Sequence, residues 1–314
     1  MPSTQNLALP AGYWLQDYEI RKVLSSGGFS FVYLAHDKNK KIVAIKEYFP
    51  TSIALRTNGA TVLTNADDVT LFRRGLNCFF DEGLALAKID HKNIVRVLNF
   101  FRANETLYMV MQYEQGKSLQ DYILEHEGLL SEKFIRRVFS ELSNGLREVH
   151  THKLLHLDIK PANIYIRLDG SPVLLDFGST WQALNENLAN SSSSYTPGFA
   201  SPEQYYDRNL LGPWSDIYSI GASMYSCLMR TSPMAANLRI KNDLLTPAVK
   251  IGKDNYSQGL LQIIDKCLSL DYLERPQSVF SLQKTLLAFN PPLKKKMSLM
   301  NKIVDVLNKP ISIK

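Results

Sequence analysis

The apolar residues of this 314-residue chain keep two different periods, one after the other. Up to about residue 112 they recur mainly at every second position. Residues 18–24, 30–36 and 41–47 read as strands, with turns at Ser25-Ser26-Gly27-Gly28 and across 37–40. Asn58-Gly59 is a hairpin signal between short extended pieces. Residues 72–89 have helical spacing, and two more strands follow near 95–101 and 106–112. From Ser118 onward the helical period dominates, over 119–127, 131–151, 215–228 and 256–268. A strand pair at 164–168 and 173–175, joined by Asp169-Gly170, interrupts it. The pattern predicts an α+β chain whose β-rich lobe precedes an α-rich lobe, with the boundary near 113–117.

Composition narrows the class. A 45% hydrophobic and 21% charged chain can bury a full core, and no stretch reaches the roughly 18 unbroken apolar residues of a membrane helix. The start, MPSTQNLALPAGYW, lacks a basic stretch followed by an apolar one. Cys78, Cys227 and Cys267 are odd in number and far apart, as free thiols in a reducing cytoplasm would be. A cytoplasmic location is therefore expected. Most of the formal charge of +6 sits in residues 294–314, where six lysines face one acid, Asp305. The near-neutral remainder argues against a broad nucleic-acid-binding face. Met297, Met300, Ile303, Val304 and Leu307 fall on one helical stripe beside those lysines. The tail reads as a packed helix or linker, with weak contact to an acidic membrane surface or a partner as the alternative.

Four stretches carry the chemistry. Leu24-Ser-Ser-Gly-Gly-Phe-Ser-Phe-Val32 puts small residues between two strands, where backbone N–H groups can approach phosphate oxygens. Val43-Ala-Ile-Lys46 ends a strand on a lysine, and Glu82 lies 36 positions on in a helix. His156-Leu-Asp-Ile-Lys-Pro-Ala-Asn163 and Asp176-Phe-Gly178 gather carboxylates, a lysine and an amide. Thr196-Pro-Gly-Phe-Ala-Ser-Pro-Glu203 follows. In this order they resemble the protein kinase catalytic domain, and in style its bacterial, eukaryotic-like serine/threonine branch. The likeness runs over residues 18–288.

The resemblance implies a two-lobed kinase fold that uses ATP and Mg2+ and acts on protein serine or threonine. It divides the chain into an N-terminal lead-in (1–17), an N-lobe (18–112), a hinge and C-lobe (113–290) and a basic tail (291–314). It implies that Ser25, Gly27 and Gly28 cover the phosphates. Lys46, paired with Glu82, would hold them; Asp158 would be the catalytic base; Lys160 would neutralise charge; Thr196 would bond both. Asn163 and Asp176 would bind magnesium. Val32, Ala44 and Tyr165 would sandwich adenine, with Met111 behind it and the backbone of Gln112 and Glu114 on its edge. Asp216 would brace the catalytic loop, and Arg275 would pair with Glu203. Two departures stand out. Serines occupy the outer glycine positions at Ser25 and Ser30, and Leu157 replaces the arginine that in the family receives a phosphorylated activation loop. Residues 191–194, four serines, look like a phosphosite cluster. These departures leave a pseudokinase or ATP-binding scaffold as the alternative reading.

Overall fold

The computed structural model describes residues 7–56, 59–177 and 195–288. The N-terminal half is built on an antiparallel six-stranded sheet. Its strands are β1 (Trp14–Leu15), β2 (Tyr18–Ser26), β3 (Ser30–Asp37), β4 (Ile42–Tyr48), β7 (Val97–Ala103) and β8 (Thr106–Gln112), in the order β1-β2-β3-β4-β8-β7. Between β4 and β7 come a small hairpin, β5 (Ala54–Arg56) with β6 (Val62–Thr64), and the helix α1 (Val69–Ala87). Directly opposed residues share a face, so Val32, Ala44, Lys46, Met109 and Met111 line one side. Tyr33, Ile45, Glu47, Tyr108 and Val110 line the other.

The lead-in is part of this lobe. Leu9 and Leu15 are buried, Leu9 N–H donates to the Tyr33 hydroxyl at 3.1 Å, and β1 opens the sheet ahead of residue 18. Val95, expected in a strand with the residues after it, instead donates its N–H to Leu174 O, while Leu174 N–H donates to Asn93 O. That stretch ties the sheet to the second lobe, and the strand proper starts at Val97.

The C-terminal half opens with β9 (Gly116–Ser118), which pairs with β10 (Ile164–Arg167) and through it with β11 (Pro172–Leu174). Gly116 takes a φ of +153°, and a Cβ there would collide with the Ile166 carbonyl, so only glycine fits. The helices are α2 (Leu119–Glu125), α3 (Glu132–Thr151), α4 (Pro202–Tyr206), α5 (Pro213–Met229), α6 (Ala236–Arg239), α7 (Ala248–Ile251), α8 (Gln258–Cys267) and α9 (Val279–Leu287). Serine side chains cap four of them, Ser118, Ser131, Ser257 and Ser278 each accepting a first-turn N–H. The centre is α5, buried from Ser215 to Leu228. Its serines survive burial because Ser219, Ser223 and Ser226 donate to carbonyls one turn back. The short elements β1, β9, α4, α6 and α7 escape the periodicity reading because each is too brief to show a period. The α9 helix, at nine residues, was also not expected.

Candidate active site

Lys46 and Glu82 meet because β4 and α1 present them to the same space. Lys46 Nζ lies 3.1 Å from Glu82 Oε1 and 2.6 Å from Asp176 Oδ1, which follows β11. Burial alone would lower the Lys46 ammonium, but the carboxylates of Asp176 and Glu82 more than offset it and hold it above the ordinary lysine value. Burial pushes Glu82 up, with Lys46 pulling part of the way back. One cation thus bridges the two lobes.

The second cluster centres on Asp158, between α3 and β10. Its Oδ2 accepts from Lys160 Nζ at 2.8 Å and from Asn163 Nδ2 at 3.0 Å. Its Oδ1 accepts from the Thr196 hydroxyl at 2.8 Å, and Lys160 also donates to Thr196 at 2.8 Å. Asp158 N–H donates to His156 Nδ1, which leaves the ring proton on Nε2 to bond Leu175 O at 3.1 Å. Burial lowers the His156 pKa, so the ring is neutral, and Phe177 packs 4.4 Å from it.

This loop is held in a strained shape. Leu157 has a φ of +61°, rare for leucine, and Asp176, of a residue type that tolerates this region better, one of +55°. Three donors on Asp216, at the start of α5, impose the first of them. Leu157 N–H reaches Oδ1 at 2.8 Å, and His156 N–H and His150 Nε2 reach Oδ2 at 3.0 and 2.8 Å. From the other side, Gln204 Nε2 donates to Leu157 O at 2.9 Å, a contact the sequence did not suggest. The Leu157 side chain is 5% exposed. In place of a cation, a packed aliphatic group sits next to Asp158. Glu203 and Arg275 form a buried pair at 2.8 Å, with Ser215 donating to the same carboxylate.

The remaining predicted residues lie on the cleft face or at its rear. Val32 stands opposite Lys46, and Ala44 opposite Met111. Gln112 ends β8, and the N–H of Glu114 has no hydrogen-bond partner among the described residues. Arg167 grips the Glu114 carboxylate with two nitrogens, at 2.6 and 2.9 Å, fixing the connection between the lobes. Tyr165 donates its hydroxyl to Gly116 O.

Two observations test the fit of nucleotide and metal. Neither Gly27 nor Gly28 has positive φ, a Cβ on Gly28 would meet nothing within 4 Å, and one on Gly27 only Ser30 O at 3.9 Å. The chain itself does not require glycine there, whereas a phosphate approaching the backbone does. Ser25, just past a register shift in β2, pairs with Val32, and Ser30 pairs with Tyr48. Asn163 spends its amide N–H groups on Asp158, turning Oδ1 away, and the Asp176 side chain is half exposed with one oxygen on Lys46. No cluster of three metal-binding acids, histidines or cysteines occurs among the described residues. Two oxygen donors without a full cage suit Mg2+, which keeps waters and shares its shell with substrate phosphates.

A buried charge network on the opposite face of the sheet has no signature in the motifs. Glu47 is fully buried and accepts from the Tyr33 and Tyr108 hydroxyls, each at 2.6 Å, and from Arg56. Arg56 also bonds Leu7 O and Ala60 O. Period-two alternation places Glu47 opposite Lys46, but only the fold shows what covers it.

A model of the protein kinase domain matches residues 18–287. Serine/threonine-protein kinase D of Synechocystis sp. is 27% identical over 283 residues, 87% of this chain and 52% of that protein. Serine/threonine-protein kinase PrkC of Bacillus subtilis is 26% identical over 272 residues, covering 85% and 39%. The solved structure "PpkA-294 apo form" superposes with a TM-score of 0.82 at 33% identity, over 89% of this chain and 99% of that one. The chain belongs to the protein kinase family, in its bacterial, eukaryotic-like serine/threonine group. It spans about half or less of the length of these two curated relatives.

Proposed function

We propose that this chain transfers the γ-phosphoryl group of ATP to serine and threonine hydroxyls of proteins, with magnesium. The observation that carries the reading is the Asp158 carboxylate, held by Lys160, Asn163 and Thr196, with the Lys46–Glu82 pair reaching the same cleft through Asp176.

Asp158 takes the proton of the acceptor hydroxyl as that oxygen bonds the γ-phosphorus and the bond to the β–γ bridging oxygen breaks, leaving ADP. Lys160 sets a positive charge beside the transferring group, and Lys46 holds the phosphates from the opposite lobe. Ser25, Gly27 and Gly28 cover them from above. Asn163 Oδ1 and the Asp176 carboxylate would hold magnesium, which when bound neutralises charge on the phosphate oxygens. Val32, Ala44, Met111 and Tyr165 would surround adenine, with Gln112 C=O and Glu114 N–H on its edge. Thr196 bonded to both Asp158 and Lys160 supports serine or threonine as acceptor. None of this needs a charged residue at position 157, because backbone groups of Leu157 make the bracing contacts.

Proteins bearing serine or threonine are the partners; nucleic acid has no part in the reading. The basic tail, with its suggested membrane or partner contact, lies outside the described residues, as do Gly178 and the serines at 191–194. Among the described residues no helix is long and apolar enough to cross a membrane. Two buried free thiols, Cys227 and Cys267, support a reducing cytoplasm.

The test is incubation with labelled ATP and Mg2+, alone and with a generic protein substrate, with Asp158→Asn as control. Phosphoserine or phosphothreonine made by wild type alone is the expected result. ATP binding without transfer would point to a scaffold, and mainly phosphotyrosine would overturn the acceptor assignment.

A further inference from the structure

The glycine-rich loop of this chain is tied down from outside. At its tip Gly28 O accepts two donors from one residue, Thr51 N–H at 2.9 Å and Thr51 Oγ1 at 3.2 Å. The next carbonyl, Phe29 O, accepts Phe49 N–H at 2.8 Å. All three bonds come from residues 49–51, directly after the strand that carries Lys46. Along the loop itself the hairpin ends at the Ser26–Phe31 pair and one bond from Gly27 N–H to Ser30 O. The N–H groups of Gly28 and Phe29, by contrast, have no partner among the described residues. The outer segment holds the carbonyls, and the donors remain for a ligand.

The anchor is itself fixed. Phe49 is fully buried, its ring 5.2 Å from Phe31 with the Arg56 guanidinium 5.1 Å above it. Pro50 O accepts from Ile53 and Ala54, closing a turn in which Thr51 is the second residue. Arg56, two residues beyond Ala54, ends in the Glu47 network. The loop tip is thus connected to the most buried charge of the lobe. An unrestrained loop must be ordered when phosphates bind, at a cost in conformational entropy. A loop already held by its carbonyls avoids much of that cost.

We infer that Thr51, aided by the Phe49 backbone, is a positioning residue that presets the glycine-rich loop for the ATP phosphates. It acts on nucleotide affinity and not on the transfer step. The inference rests on the reading of ATP as phosphoryl donor.

Thr51→Ala removes the hydroxyl bond alone. Thr51→Pro removes both bonds at a turn position where proline is favoured. Thr51→Ser keeps both. The expected result is a KM for ATP raised about threefold in Thr51→Ala and about tenfold in Thr51→Pro, with kcat at saturating ATP within about twofold and Thr51→Ser close to wild type. The Kd of a fluorescent ATP analogue should rise in parallel, and hydrogen exchange at the Phe49 amide, which donates to the loop at Phe29 O, should quicken. Thr285→Ala, which deletes an exposed hydroxyl bond in α9, should change none of these. Unchanged KM and exchange in a folded Thr51→Pro, or a fall in kcat at constant KM, would overturn the inference. If the proline variant does not fold, Thr51→Ala decides by the same measures. A wild type that transfers no phosphate would count against the kinase reading alone, since the analogue-binding and exchange measurements still judge the anchor.

Discussion

At Asp158 three groups converge on one carboxylate, so neutralising it should remove the proposed base and loosen the arrangement around it. Asp158→Asn is expected to lower kcat by a factor of about 10²–10⁴, with analogue binding retained, as measured by steady-state transfer and titration. His156 gives a different signature. Burial holds its pKa below the ordinary value of 6.5, so in mildly acid solution the unfolded chain binds a proton that the folded one does not. Stability is then full above about pH 6.5 and declines as pH falls, by at most about 1.4 kcal/mol per pH unit for one such group. His91, also lowered by burial, acts with the same sign. The depressed Asp216 carboxylate keeps its contribution until more acid pH. Thermal midpoints should therefore drop between pH 7 and pH 5, and His156→Asn should be less stable at pH 7 but show a shallower dependence.

Among the elements, α4 and the turn before α9 are joined through Glu203 and Arg275, which are 5% and 2% exposed. Removing one partner leaves the other charge buried, so Arg275→Ala should cost about 3–5 kcal/mol, read as a lowered denaturant midpoint. The segment ahead of α4 carries a further expectation. With Leu157 packed and uncharged, a phosphate on the serines at 191–194 lacks its usual receiver, and replacing all four by alanine should change turnover less than about tenfold. Much of this was legible beforehand. Lys46, Asp158, Asn163 and Asp176 stand in motifs whose polar residues have no reason to recur at that spacing except chemistry. The partners of Glu47 were not legible, because Tyr33, Arg56 and Tyr108 lie 14, 9 and 61 positions away, and only the sheet and the β5–β6 hairpin packed on it bring them together. The strained φ of Leu157 was equally hidden. The sequence shows an arginine replaced, but not that the backbone at that position is what Asp216 and Gln204 hold.

For the whole molecule, the ends of the chain matter more than the motifs suggest. Leu7 O and Leu9 N–H complete the Arg56 and Tyr33 partners of the Glu47 network. Deleting residues 1–9 should leave buried polar groups unpaired, costing about 1–3 kcal/mol for each. The truncated chain should unfold at lower temperature and be cut sooner by protease within the N-lobe. At the other end, α3 presents Ile135, Val138, Phe139, Leu142 and Leu146, all fully buried, while its Arg136 donates to Leu286 O of α9 and Gln283 of α9 donates back to Ser140 O. The ribosome releases α3 well over a hundred residues before α9. At about 5–20 residues per second that is a wait of roughly 6–26 s, during which the apolar stripe of α3 lacks its α9 partner. Newly made copies of this protein thus pass through a period of exposure to chaperones and proteases whose length is set by translation speed, and a stalled ribosome would prolong it.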